Sequence, residues 1–145
     1  MRRIDNIVVH CTATSPNATV QSITDYHLKT LGWQVAGYHF LIGADGTVVP
    51  VVREEQASNG VRGYNANSIH VCYIGGLNGE DTRTPVQKRA LVSVLTLLKA
   101  KYPKARILGH RDIASTDSNH NGIIDPWERV KACPCFDAIK EYKNI

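Results

Sequence analysis

IVVHCTAT, residues 7–14, decides the fold: a β-branched run ends on a histidine and a cysteine and gives way to a polar stretch broken by Pro16. IVVHC reads as a buried strand, and the Ser, Asn, Thr and Pro residues that follow read as a loop. Past that loop the spacing changes. Val20, Ile23, Tyr26 or His27, and Thr30 or Leu31 recur at helical intervals, with Thr19 placed to cap the start and Gly32 to close the end. GYHFLIG (37–43) and TVVPVV (47–52) then read as two strands joined by Ala44-Asp45-Gly46, an Asp-Gly hairpin signal. Pro50 cannot donate to a ladder, which confines the second of them to an edge.

Further along, residues 54–67 are polar and glycine-rich without a period and read as a surface loop. SIHVCYIGG (68–76) returns to strand character. The strongest local signal comes next: Thr84 as N-cap, Pro85 at the first helical position and Gln87 completing a capping box. Val86, Ala90, Leu91, Val94, Leu95 and Leu98 then form one apolar face. RILGH (106–110) is a fifth strand, GHRDIAST reads as strand followed by turn, and FDAIKEYKN (136–144) reads as a short closing helix. Strands alternating with helices give an α/β fold: one domain over 1–145, a central mixed β-sheet of about five strands flanked by about three helices.

At 145 residues with 43% hydrophobic content, the chain is long enough for one core and too short for two. The first residues hold two arginines but only a short apolar run, so no signal-peptide core is read there and synthesis in the cytoplasm is expected. No stretch approaches the length needed to span a bilayer, so membrane insertion is not expected. The net charge of +4 is spread along the chain and argues against a nucleic-acid-binding arm. Cysteines at 11, 72, 133 and 135 read as free thiols or metal ligands. Cys11 and Cys72 sit in apolar runs and are expected to be buried.

Three segments, VVHCTAT, LGHRD and KACPCFD, fall at strand ends, where an α/β sheet gathers its site. His10 and His110 each end an apolar strand, and the KACPC segment offers a thiolate from Cys133 or Cys135. Two imidazoles and one thiolate occupy three tetrahedral positions on zinc and leave the fourth for water, the pattern of a hydrolytic site. Ligands so far apart in sequence match no short zinc pattern, so spacing alone does not identify the site.

The order of motifs does more. VVHCTAT, GYHF, DGTV, GYNANSIHVCYIGG, TPVQ, GHRD and KACPCFD resemble, in sequence and spacing, the zinc-dependent N-acetylmuramoyl-L-alanine amidases, a family spanning small phage endolysins and animal peptidoglycan recognition proteins. The resemblance covers nearly the whole chain. It implies zinc held by His10, His110 and Cys133, with Cys135 set aside, a catalytic tyrosine at Tyr38 and a catalytic lysine at Lys131. It implies a protein that binds peptidoglycan or muropeptides and cuts the bond between N-acetylmuramic acid and L-alanine; a monomer is expected, and release through a holin, delivery by a secretion system and recycling of wall fragments in the cytoplasm all stay open. The alternative it leaves open is a non-catalytic peptidoglycan-binding module. His39, Asn65 and Asn67 are expected as substrate contacts, His39 facing away from Tyr38 on a regular strand. Some relatives carry a histidine upstream of the 54–67 loop's tip, where this chain has Asn59.

A second motif lies between the zinc-ligand candidates. DSNHNGIIDPWE (117–128) fits D-x-[DN]-x-[DN]-G-x₅-E, a calcium loop. Asp117, Asn119 and Asn121 take positions 1, 3 and 5, Ile123 offers a carbonyl at 7, and Asp125 and Glu128 fill 9 and 12. With no helical pattern entering it, a paired EF-hand is not expected. Ca²⁺ here is read as structural, stiffening the segment that delivers Lys131 and Cys133. The alternative is an Asn-Gly turn and a helix from Pro126.

Overall fold

β1 (Asn6–Cys11), fully buried, is the strand on which the sheet is built. It pairs in parallel with β4 (Ser68–Tyr73) on one side and β5 (Arg106–Gly109) on the other. β2 (Phe40–Ile42) runs parallel to β4, and β3 (Val48–Pro50) pairs antiparallel with β2. The mixed five-stranded sheet has the order β3-β2-β4-β1-β5, which puts Pro50 on an edge. The structure is a computed structural model and describes residues 2–114, 118, 120 and 131–145. Asp117, Asn119, Asn121, Ile123, Asp125 and Glu128, the calcium-loop residues, lie outside those described.

Strand alternation divides the sheet into two differently dressed faces. Ile7, Val9, Ile69, Val71 and Tyr73 point to one side, where they pack on Leu91, Leu95 and Leu98 of α2 (Pro85–Lys101). Leu95 is 0% exposed, and truncating such a side chain to alanine costs about 2–5 kcal/mol. α2 starts as its sequence dictates. Thr84 caps Gln87 N–H while Gln87 Oε1 accepts from Thr84 N–H, and Gln87 Nε2 donates to the carbonyls of Ile42 and Ile74. The capping residue therefore also bolts the helix to two strand ends. Val86, expected on the buried face, is 38% exposed: in the first turn it reaches only the rim, beside Gly46.

The other face carries Val8, His10, His70 and Cys72, covered by loops and short helices. α1 (Val20–Asp25) begins with the Thr19 cap, then widens into a π turn over Tyr26–Thr30, and Gly32 closes it at φ +71°. A regular helix was the expectation; the π turn changes the phase, burying His27 and leaving Tyr26 and Leu31 outside. α3 (His110–Ala114) replaces the strand-then-turn expected for GHRDIAST. Gly109 N–H is taken by Asp112 Oδ2 at 2.7 Å and Arg111 N–H by the Cys133 carbonyl at 2.8 Å, so the chain leaves the sheet. The closing helix α4 spans only Ala138–Glu141, started by Asp137. Among the described residues no helix is long and apolar enough to cross a membrane.

Candidate metal centre

His10 sits one residue before the end of the central strand, on the face opposite the α2 core, with 1% exposure. His110 opens α3 where β5 stops, next to β1, and their ring centroids are 4.8 Å apart. Cys133 arrives from 122 residues beyond Cys11, whose backbone N–H points to its Sγ at 3.1 Å. Its segment is anchored on three sides: Arg111 N–H to the Cys133 carbonyl, Tyr73 OH to the Pro134 carbonyl at 2.6 Å, and Cys135 N–H to the Ala132 carbonyl.

One donor atom from each of His10, His110 and Cys133 lies within 4.8 Å of the others, and Cys133 Sγ is 4.0 Å from His10 Nδ1. A tetrahedral ion with bonds of about 2.0–2.3 Å needs donors roughly 3.3–3.8 Å apart, so a small inward movement brings the three onto zinc. The electrostatics fit as well. Burial, reinforced by Lys131, holds His110 down at about 4. Burial with the neighbouring His70 and His110 keeps His10 well below the usual imidazole range. Both rings are thus neutral at physiological pH, the form that ligates.

The remaining expected residues divide. Tyr38 is half-buried with its ring 5.1 Å from that of His10, and burial next to the cysteines keeps its hydroxyl protonated. Lys131 is exposed and lines the cleft with Tyr38, His110 and Cys133. Cys135 stands outside the donor group, its Sγ 3.6 Å from Cys11, and burial pushes its thiol up to about 12.

His39 does face away from Tyr38, but into the interior. It is 0% exposed, with Nδ1 accepting from His70 N–H and Nε2 donating to the Gln56 carbonyl, so neither nitrogen is left for a substrate. Asn67 is also displaced from its expected role. Its amide donates to Asp5 at the start of the sheet, away from the strand ends that carry the metal group. Asn65 stays near the cleft, its Oδ1 accepting from Val61 N–H and from His70 Nε2. Asn59 donates to the Val35 carbonyl.

His70 was missed by the reading of the sequence. It lies on β4 with 0% exposure, Nδ1 2.9 Å from His10 Nε2, and burial beside His39, His110 and Arg2 holds it down at about 3. A histidine inside an apolar strand, two residues from the buried Cys72, was the signal available.

The cleft lined by His110 and Cys133 has a volume of about 420 Å³. It does not end there. Tyr38 and Thr12 form a wall shared with a cavity of about 510 Å³ floored by Ile23 and by Trp33 stacked on His27. His110 and Lys131 are shared with a third cavity, of about 410 Å³, which reaches Arg62 and Asn65 and meets the second at Trp33. The cleft lined by His110 and Cys133 therefore runs on into two further cavities as one groove.

Comparison with known proteins places the chain in a family. The family profile described as N-acetylmuramoyl-L-alanine amidase matches residues 1–128. The endolysin of Enterobacteria phage K11 is 40% identical over 135 residues, covering 89% of this chain and 79% of that protein. The endolysin of Escherichia phage T7 is 39% identical over 139 residues, covering 92% and 82%. Among solved structures, the N-acetylmuramoyl-L-alanine amidase LysC of Clostridium intestinale superposes with a TM-score of 0.75 at 28% identity, covering 97% and 82%.

Proposed function

Because the chain belongs to the N-acetylmuramoyl-L-alanine amidase family and is such an amidase, we propose that it cuts the amide between N-acetylmuramic acid and L-alanine in peptidoglycan with zinc on His10, His110 and Cys133. The observation that carries this reading is the convergence of the three donors at a cleft, lined by His110 and Cys133, that runs on into two further cavities as one groove. Such a groove suits a polymer held across the point of cleavage. Bound there, zinc supplies a Lewis acid for the scissile carbonyl and lowers the pKa of a water to about 7.

The side chains around it supply the rest. The Tyr38 hydroxyl, kept protonated by burial, donates to the oxygen on which negative charge develops as the carbonyl carbon becomes tetrahedral. Lys131, at the cleft mouth, adds a positive charge on the same side as His110. The cavity floored by Ile23, His27 and Trp33 is aromatic and apolar, and the one that meets it at Trp33 is polar, with Arg62 and Lys131. Together these hold the glycan and its anionic stem peptide along the groove. The whole chain acts as one catalytic domain on the cell wall.

Mass spectrometry of digested peptidoglycan tests the reading. Stem peptides with a free L-alanine amino group, released by the native protein and abolished by a chelator, are expected. Intact muropeptides from the zinc-loaded protein would refute it. The calcium reading of 117–128 rests on the sequence pattern alone. Calorimetric titration of Ca²⁺ is expected to give stoichiometric heat and a raised Tm, and neither appearing discards it.

A further inference from the structure

His70 stands outside the group of three donors, yet its Nδ1 lies 2.9 Å from Nε2 of His10. The chain of hydrogen bonds begins at a group whose role is fixed: a backbone N–H can only donate. Val61 N–H points to Asn65 Oδ1 at 2.8 Å, which makes that atom the amide oxygen and an acceptor. His70 Nε2 lies 2.9 Å from the same oxygen and therefore carries the proton. A neutral ring protonated at Nε2 has a bare Nδ1, and His70 Nδ1 lies 2.9 Å from His10 Nε2. His10 must then donate from Nε2, which leaves His10 Nδ1 bare. That is the nitrogen facing Cys133 Sγ.

We propose that His70, oriented by Asn65 and the Val61 amide, is the positioning residue that fixes His10 in the tautomer presenting Nδ1 to the metal, and that Gly60 is the residue that makes room for it. The second half rests on a close approach. A Cβ built on Gly60 would fall 2.4 Å from Cγ and Nδ1 of His70, inside any permissible contact. The imidazole of His70 therefore occupies the space that a side chain at 60 would claim. The pair works as a unit: a ring entering from β4, and a gap left for it in the 54–67 loop. Partners of this outer kind orient metal-bound histidines and set ligand basicity, typically affecting metal affinity by 10–100-fold. The inference rests on His10 being a zinc ligand.

The test uses zinc affinity by chelator competition, together with long-range ¹H–¹⁵N spectra of the histidine rings in the metal-free full chain. In the native protein, both His10 and His70 are expected as Nε2–H tautomers. Spectra showing His10 protonated at Nδ1 would overturn the proposal without any variant. His70→Leu is expected to lose about 10–100-fold in zinc affinity and to leave His10 a mixture of tautomers. His70→Gln, whose amide oxygen can face His10 and whose NH₂ can face Asn65, is expected to recover most of that loss. Gly60→Ala is expected to reproduce the His70→Leu defect, with little added loss in the double variant because both remove the same contact. Native zinc affinity and a single His10 tautomer in His70→Leu would overturn the positioning role. His10→Ala separates the two readings: if it loses zinc while His70→Leu does not, only the positioning role fails. If His10→Ala keeps native affinity, the ligand assignment fails and this proposal with it.

Discussion

The backbone N–H of Cys11 lies 3.1 Å from Sγ of Cys133, so the last residue of the central strand donates directly to a side chain 122 positions away. That contact helps to fix the Cys133 sulfur at the end of β1. Cys135, two residues on, instead sits against the Cys11 thiol. The two cysteines should thus separate cleanly in experiment. Cys133→Ala is expected to lose stoichiometric zinc and at least about 100-fold in wall-digesting activity. Cys135→Ala should keep one zinc per chain and most of the activity. Metal analysis of both variants after dialysis decides, and equal zinc content in the two would remove Cys133 from the site.

Tyr38 and Lys131 both line the cleft, and the proposed mechanism has them act on the same reaction centre. Tyr38→Phe keeps the ring that packs 5.1 Å from His10 and removes only the hydroxyl. A drop in kcat of roughly 10²–10³-fold is expected, with zinc content, KM and Tm nearly unchanged. Lys131→Met should act in the same direction. Steady-state kinetics on a soluble muropeptide measure both. A variant that raises KM at unchanged kcat would mark its residue as a binding group instead.

How far the sequence reached can be judged from particular residues. Thr84-Pro85-Gln87, Asp45-Gly46 and Pro50 announce a capped helix, a hairpin and an edge, because each acts through its own neighbours within a few positions. His10, His110 and Cys133 were placed by family order, and the fold brings them together. His70 escaped because its partner is set by the parallel register that pairs it with Val8 and puts its ring diagonal to His10; no local pattern encodes that register. His39 and Asn67 were expected at the groove for want of the same information. Strand parity gave the side of the sheet for His39 but not that loop residues Gln56 and Ser58 would seal it. The π turn after Asp25 and the helix at His110 likewise follow from contacts made across the fold.

Gly109 allows Pro134 to lie against the sheet, and through it places Cys133. A methyl group at this position would stand 2.7 Å from Pro134 Cδ and 3.1 Å from Asp112 Oδ2. Gly109→Ala is therefore expected to push the Cys133 segment outward and to weaken zinc binding by about tenfold or more, comparable with loss of an outer-shell contact. Gly32→Ala is the control. Its φ of +71° makes alanine costly by about 1 kcal/mol, yet nothing lies within 4 Å of the added carbon. It should lower Tm and leave zinc affinity alone. Chelator competition and thermal melts on both variants check the contrast, and an unchanged affinity in Gly109→Ala would break the link between Pro134 packing and the metal group.

Arg83 holds the end of the chain to the sheet. Its side chain is 2% exposed, both terminal nitrogens meet Glu141 carboxylate oxygens at 2.6 and 2.9 Å, and its Cζ stands 3.3 Å above the Phe136 ring. Removing it strands the Glu141 and Asp81 carboxylates beside an apolar core. Arg83→Met should cost roughly 2–3 kcal/mol, at or below the low end for a broken buried pair because water still reaches both acids. The Arg83 hydrogen bonds hold the Glu141 carboxyl below its ordinary value of 4.5, against the pull of burial. With the folded value depressed, the unfolded chain binds more protons between the two, so stability rises with pH across that window. The contribution is complete above the ordinary value and disappears as pH falls through the folded one. The Tm gap between the native protein and Glu141→Gln should accordingly be constant near neutrality and close below about pH 4.5. A gap of the same size at pH 3 and pH 7 would show that Glu141 acts through packing and not through its charge.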